Sequence, residues 1–98
     1  METLPPRRHF IPEWAVKFGL RRADLARATG ADKATVTRWF KGTAPQDQYL
    51  MTLAKVFDAS VPDLFRHPDE VWVSRFLEGR SEAEIQRIKA TLEAAFPR

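Results

Sequence analysis

Apolar residues recur along this chain at intervals of three and four, and no stretch alternates with a period of two. The pattern predicts helices throughout and no strands. The clearest stripe is Leu50, Leu53, Ala54 and Phe57, one face of a helix over 47–57. Val36 paired with Trp39 or Phe40 marks a shorter helix over 33–41, opened by Asp32 as N-cap and closed by Gly42. Upstream, Leu25 and Ala26 point inward from a helix over 22–29 that ends at Gly30. Pro12 suits the first position of a helix over 13–18 that Gly19 stops. Ser60, with Asp63 three residues on, restarts a short helix expected to bury Leu64 and Phe65.

The last third predicts a helical hairpin. His67-Pro68-Asp69 opens a helix to Leu77 that carries Trp72, Val73, Phe76 and Leu77 on one side, and Gly79 ends it. Ser81-Glu82-Ala83-Glu84 has the S-x-x-E form of a capping box and opens a final helix to Ala95, striped by Ile85, Ile88, Leu92 and Phe96. The two stripes either close on each other and on the body or pair with a second subunit. The dimer-interface candidates are Trp72, Phe76, Ile85, Ile88 and Leu92. The tryptophans and phenylalanines are read as core rather than as base-stacking platforms. Phe40 is expected to be partly exposed, either packing on a thymine methyl group or capping a neighbouring helix.

Length narrows this picture. The 98 residues hold one small domain and exclude a Rossmann domain or a TIM barrel. The chain divides into a basic arm over 1–10, a helical body over 11–66 and the hairpin over 67–98. No apolar run exceeds three residues, and Met1 to Arg8 lacks an apolar stretch after its charges. Neither a membrane span nor a secretory signal is expected, and a cytoplasmic location follows. There is no cysteine, hence no disulfide and no thiolate chemistry. His9 and His67 are too few for a metal site, the glycines stand singly, and two of the three serines read as caps. No enzyme activity, cofactor, metal or small-molecule ligand is expected.

Charge changes the picture more. Up to Pro45 there are nine Lys and Arg against four Asp and Glu, a balance of +5; from Gln46 onward there are seven against nine, a balance of −2. The basic first half calls for a polyanionic partner. Within it, 22–42 has the layout of two short helices joined by a tight turn, with Gly30 able to take positive φ and Ala26 small enough for a close crossing. If Val36 and Trp39 anchor the second helix, then Lys33, Ala34, Thr35, Thr37, Arg38 and Lys41 face away. None of these is acidic, and such a helix fits the major groove, where Lys or Arg can bond guanine O6 and N7. Arg21 and Arg22 stand at a helix start, where the backbone is already partly positive. A phosphate docked there reverses the sign of that interaction.

These residues carry a resemblance. Gly19-Leu20-Arg21-Arg22-Ala23-Asp24-Leu25-Ala26, followed by Gly30 to Trp39, resembles the Cro/lambda-repressor-type (XRE-like) helix-turn-helix family. Gly42-x-x-Pro45, Leu50-x-x-Leu53-Ala54-x-x-Phe57 and Ser60-x-x-Asp63-Leu64 are similar to that family's fourth and fifth helices, so the likeness runs over about 11–65. The resemblance implies an all-α, five-helix lambda-repressor-like domain with an added C-terminal helical hairpin. It implies a bacterial or phage transcriptional regulator that binds double-stranded DNA, as a homodimer on a palindromic operator. By position, Lys33, Ala34, Thr35 and Arg38 fall on base-reading sites; Arg22, Thr37, Lys41, Thr43 and Gln46 fall on phosphate-binding sites. Arg7 and Arg8 form a candidate DNA arm. Three features depart from the family pattern: Arg21 replaces the usual Ser or Thr cap, Phe40 follows the Trp, and the loop from Gly42 to Pro45 is one residue short. An antitoxin, binding a toxin through its C-terminal helices and its own operator through the first half, is the alternative, and an RNA-binding or adaptor domain is a further rival.

Overall fold

The computed structural model describes residues 9–98, and in it every described regular element is helical. The order is α1 (Ile11–Lys17), α2 (Arg22–Thr29), α3 (Lys33–Phe40), α4 (Asp47–Val56), a 3-10 turn (Pro62–Phe65), α5 (Pro68–Leu77) and α6 (Glu82–Ala95). Local chemistry accounts for most boundaries. Asp32 accepts the Thr35 amide at 2.7 Å and caps α3. The Asp24 carboxylate accepts the Arg21 amide at 2.8 Å at the start of α2. Arg21 has no acceptor to return, so only this half of a reciprocal cap is made. Gly30 closes α2 in the left-handed region, at φ 79°, where a side chain would be strained although nothing would obstruct it.

One core serves the first two thirds of the chain. Ile11, Trp14, Leu25, Val36, Trp39, Leu53, Phe57 and Leu64 are essentially solvent-free. They bring α1, α2, α3, α4 and the 3-10 turn together. Each is a large apolar side chain, worth about 1.5–3 kcal/mol for full burial. The Trp14 indole donates to the Arg66 carbonyl at 3.1 Å, and the Phe10 amide donates to the Leu64 carbonyl at 2.8 Å. Both bonds fasten α1 to the segment leading into α5.

Several expectations need correction. Helix α1 begins at Ile11, because the His9 Nδ1 accepts the Ile11 amide at 3.3 Å and satisfies a helix-start donor. His9 and Phe10 therefore belong to the body rather than to the arm: His9 is fully buried and Phe10 packs against the core. Arg7 and Arg8 lie outside the described residues. Phe65 is exposed, because the three-residue period of the 3-10 turn aims Leu64 into the core and its neighbour outward. Trp72 is 58% exposed, and Phe18, Phe76 and Phe96 are also open to solvent, so not every aromatic is core.

The hairpin is open. Helix α5 docks through Pro68 and Val71, while its Trp72, Val73 and Phe76 remain exposed. Helix α6 has no buried residue and shares in none of the substantial helix packings. The radius of gyration is 16.8 Å, against about 13 Å for a compact chain of this length. Apolar area that the two stripes were expected to bury stays in water.

Candidate nucleic-acid interface

Helix α3 sits on the body through Val36 and Trp39, both buried, and Trp39 packs on Tyr49 of α4 with ring centroids 5.4 Å apart. With that face fixed, the 100° step of the helix turns Lys33, Ala34 and Arg38 fully to solvent and leaves Thr35 and Thr37 half-buried. Lys41 terminates the helix and is exposed, as are Thr43 and Gln46 in the segment that follows.

The exposed face has internal order. An Arg38 guanidinium nitrogen donates to the Thr35 hydroxyl at 3.0 Å. Long helical side chains lean toward the N-terminus, and here that brings Arg38 beside the first turn of α3. One such bond occupies one of five guanidinium donors, so a bidentate contact to a guanine edge remains open. Hydrogen bonding from Thr35, first through its hydroxyl and then its amide, holds the Asp32 carboxyl below its ordinary value, with Arg38 adding to the effect. Asp32 is therefore ionised at neutral pH and spends its charge on the cap.

The start of α2 flanks this face. The Asp24 carboxyl is held below its ordinary value, chiefly by the Arg21 amide and then by Arg27 and Arg21. Asp24 also pairs directly with Arg27. The amides of Arg22 and Ala23 make no hydrogen bond within the described residues. Arg22, Lys33, Arg38 and Lys41 have no carboxylate partner there either. Two free donors at a positive helix end, with the exposed Arg22 beside them and Lys33, Arg38 and Lys41 exposed on α3 and its end, suit a phosphate backbone.

Two residues shape this surface in ways the chain's periodicity does not reveal. Phe40, partly buried against the core, lies under the Arg22 guanidinium at 5.0 Å from its ring centroid. The end of α3 thus carries the first side chain of α2. Of the two roles expected of Phe40, the contact made here is the one with a neighbouring helix. His9 Nε2 lies 2.9 Å from the Thr43 carbonyl. Since Nδ1 accepts from Ile11, Nε2 carries the proton and donates to Thr43. The loop after α3 is thereby tied to the start of α1. The only hint of His9 in the sequence is its place just before Phe10 and Ile11. Its partner is 34 residues away.

Among the described residues no group of three or more metal-ligating side chains gathers, and no helix is long and apolar enough to cross a membrane.

A short helix anchored by two apolar residues, crossing a second helix through a glycine-closed turn and presenting cations outward, defines a helix-turn-helix protein. The Cro/C1-type HTH DNA-binding domain model matches residues 17–70, and the chain belongs to that family. Among solved structures it is similar to a transcriptional regulator from Listeria innocua, at 26% identity and a TM-score of 0.52, with 93% of this chain and 99% of the other covered. A comparison with curated proteins gives no match.

Proposed function

We propose that this protein is a sequence-specific, double-stranded DNA-binding transcriptional regulator that lays α3 in the major groove and acts as a homodimer on paired half-sites. The observation that carries the reading is the division of α3. Val36 and Trp39 are buried, and Lys33, Ala34, Thr35 and Arg38 form an outward face with no acidic residue. Lys33 and Arg38 read base edges, while Ala34 and Thr35 offer a small apolar contact and a hydroxyl. Arg22, Thr37, Lys41, Thr43 and Gln46 hold phosphates and set the register. Similarity to a regulator over nearly the whole chain supports a regulatory role. Occupying or vacating a promoter is the simplest consequence of such binding.

Selection of bound fragments from random duplexes, followed by titration of the winner, tests this. Arg38→Ala is expected to cost about 1–3 kcal/mol on the selected duplex and to relax preference at one base position. Arg22→Ala is expected to weaken all duplexes alike and to lower the salt slope by about one unit. An unchanged preference in Arg38→Ala removes the base-reading assignment. Tighter binding to structured RNA than to any duplex removes the DNA reading altogether.

A further inference from the structure

The His9 imidazole is wholly buried, yet its two nitrogens bond the backbone of segments far apart in the chain. Nδ1 accepts the Ile11 amide at 3.3 Å, and Nε2 donates to the Thr43 carbonyl at 2.9 Å. A neutral imidazole offers one acceptor and one donor, and this setting uses both. The Ile11 bond serves a helix start. The Thr43 bond serves no such need, because Thr43 is exposed. A carbonyl on an exposed residue is satisfied by water as readily as by a side chain. Drawing it onto a buried ring therefore fixes its direction.

We infer that His9 is a positioning residue for DNA binding: by holding the Thr43 carbonyl inward, it turns the Ala44 amide outward as a donor to a backbone phosphate. The inference rests on the reading of α3 as the helix laid in the groove. It adds a main-chain contact to the side-chain contacts named above, and a residue in the core that acts through it.

Three observations carry this. First, the Thr43–Ala44 peptide is trans, since no described peptide bond is cis. In a planar trans peptide the N–H points opposite to the C=O. The carbonyl faces buried His9, so the Ala44 N–H faces the other way, and Ala44 is exposed. Second, that N–H is uncommitted, for it makes no hydrogen bond within the described residues. Third, the loop is fixed on either side of this peptide. The Gly42 amide donates to the Trp39 carbonyl at 3.0 Å and the Thr43 amide to the Arg38 carbonyl at 3.0 Å, while Pro45 is buried. With its flanks held, the peptide keeps one freedom, rotation about its own long axis, and the His9 bond stops that rotation. A donor already aimed loses little further freedom when it meets its acceptor. The exposed Lys41 lies three residues before it and supplies the charge that draws a phosphate to this loop.

The test uses the full chain and the selected duplex, with two variants that each keep half of the ring's bonding. The amide nitrogen of glutamine stands about where Nε2 does. The amide oxygen of asparagine stands about where Nδ1 does, and that side chain falls short of Thr43. Each variant loses one buried bond, so both are expected to melt earlier than the unaltered chain. Binding separates them. His9→Asn is expected to weaken every duplex by about tenfold, with salt slope and base preference unmoved because no cation is lost. His9→Gln is expected to restore the affinity. Ala44→Pro removes the amide hydrogen at an exposed position and is expected to cost as much as His9→Asn, and the two together no more than either alone. On adding duplex, the Ala44 amide proton is expected to move downfield in the unaltered chain and to stay in place in His9→Asn. Equal losses in the two His9 variants, no loss in Ala44→Pro, additive losses, or an unmoved Ala44 proton in the unaltered chain each overturn the proposal. A loss of base preference in Arg38→Ala then leaves the DNA reading standing. If neither His9 variant folds, Ala44→Pro and the proton shift decide. An unaltered chain that binds no duplex overturns the proposal and the DNA reading together.

Discussion

Helices α3 and α6 are both amphipathic, and the structure treats them in opposite ways. In α3 the apolar side is buried and the charged side is open. In α6 nothing is fully buried: Ile85 and Ile88 are half-covered, and Leu92 is open like the charged side. Exposed cations cost nothing in water and stay ready for a polyanion. Exposed leucine, isoleucine and phenylalanine keep in water about 25 cal/mol for every Å² left uncovered. A polar surface in water is at rest, whereas an apolar surface of this size is incomplete. The first two thirds of the chain are therefore a finished fold with a chemical surface, and the last third leaves much of its apolar surface uncovered.

Substitution of tryptophans sharpens that contrast most. Trp39→Ala empties a fully packed site and is expected to cost about 3–5 kcal/mol, unfolding the body in denaturant titrations. Trp72→Ala, made in dilute protein where chains are separate, is expected to leave the same transition nearly unmoved. If the two variants are equally destabilised, the body and the hairpin are one cooperative unit and the contrast fails.

A smaller effect is expected at the cap of α6. Ser81 accepts the Glu84 amide at 3.2 Å, and Glu84 accepts the Ser81 amide at 3.2 Å. Ser81→Ala is expected to cost about 1 kcal/mol, read as lost helicity without a shift of the main thermal transition. Acid probes the same contacts. The Ser81 amide and then its hydroxyl hold the Glu84 carboxyl below its ordinary value. The Ser60 amide chiefly does so for Asp63, and Asp24 and Asp32 are lowered as well. A lowered carboxyl stabilises the fold fully above its unfolded value and loses that contribution as pH falls through its folded value. Stability is thus expected to be flat near neutrality and to decline below about pH 4, checked by thermal melts across that range.

The least expected change lies in the cation–π contact. Phe40→Leu keeps the apolar packing but removes the ring beneath Arg22, a contact worth about 0.5–1 kcal/mol at an exposed site. Affinity for all duplexes is expected to fall slightly and together, with base preference intact. A shift in base preference places Phe40 at the bases instead of beneath Arg22.

How much of this was legible in the chain follows from the range of each interaction. Asp32, Gly30, Ser81 and the stripe of α4 act on neighbours within four residues, and their elements lie where the pattern places them. The direction of α3 was legible because two large apolar residues three positions apart leave one outward face. Phe65 was misread because a 3-10 turn has a different period from an α-helix. On α5 the buried residues are Pro68 and Val71, outweighed in the sequence by the bulkier Trp72 and Phe76 that stay exposed. His9 bonding Thr43 depends wholly on tertiary approach, and no local pattern announces it.

The seating of α5 has a mechanical consequence. Val71 is buried, Arg75 reaches the Asp58 carbonyl at 3.2 Å and Asp63 at 3.4 Å, and Arg66 bonds Ser74 at 2.9 Å. These ties make α5 a strut welded to the helical body, and the chain next bends at Gly79, where Arg80 bonds the Phe76 carbonyl and Glu84 across the turn. Whatever grips the far arm is held at a set angle to the basic face, as in a caliper whose opening is fixed at the joint.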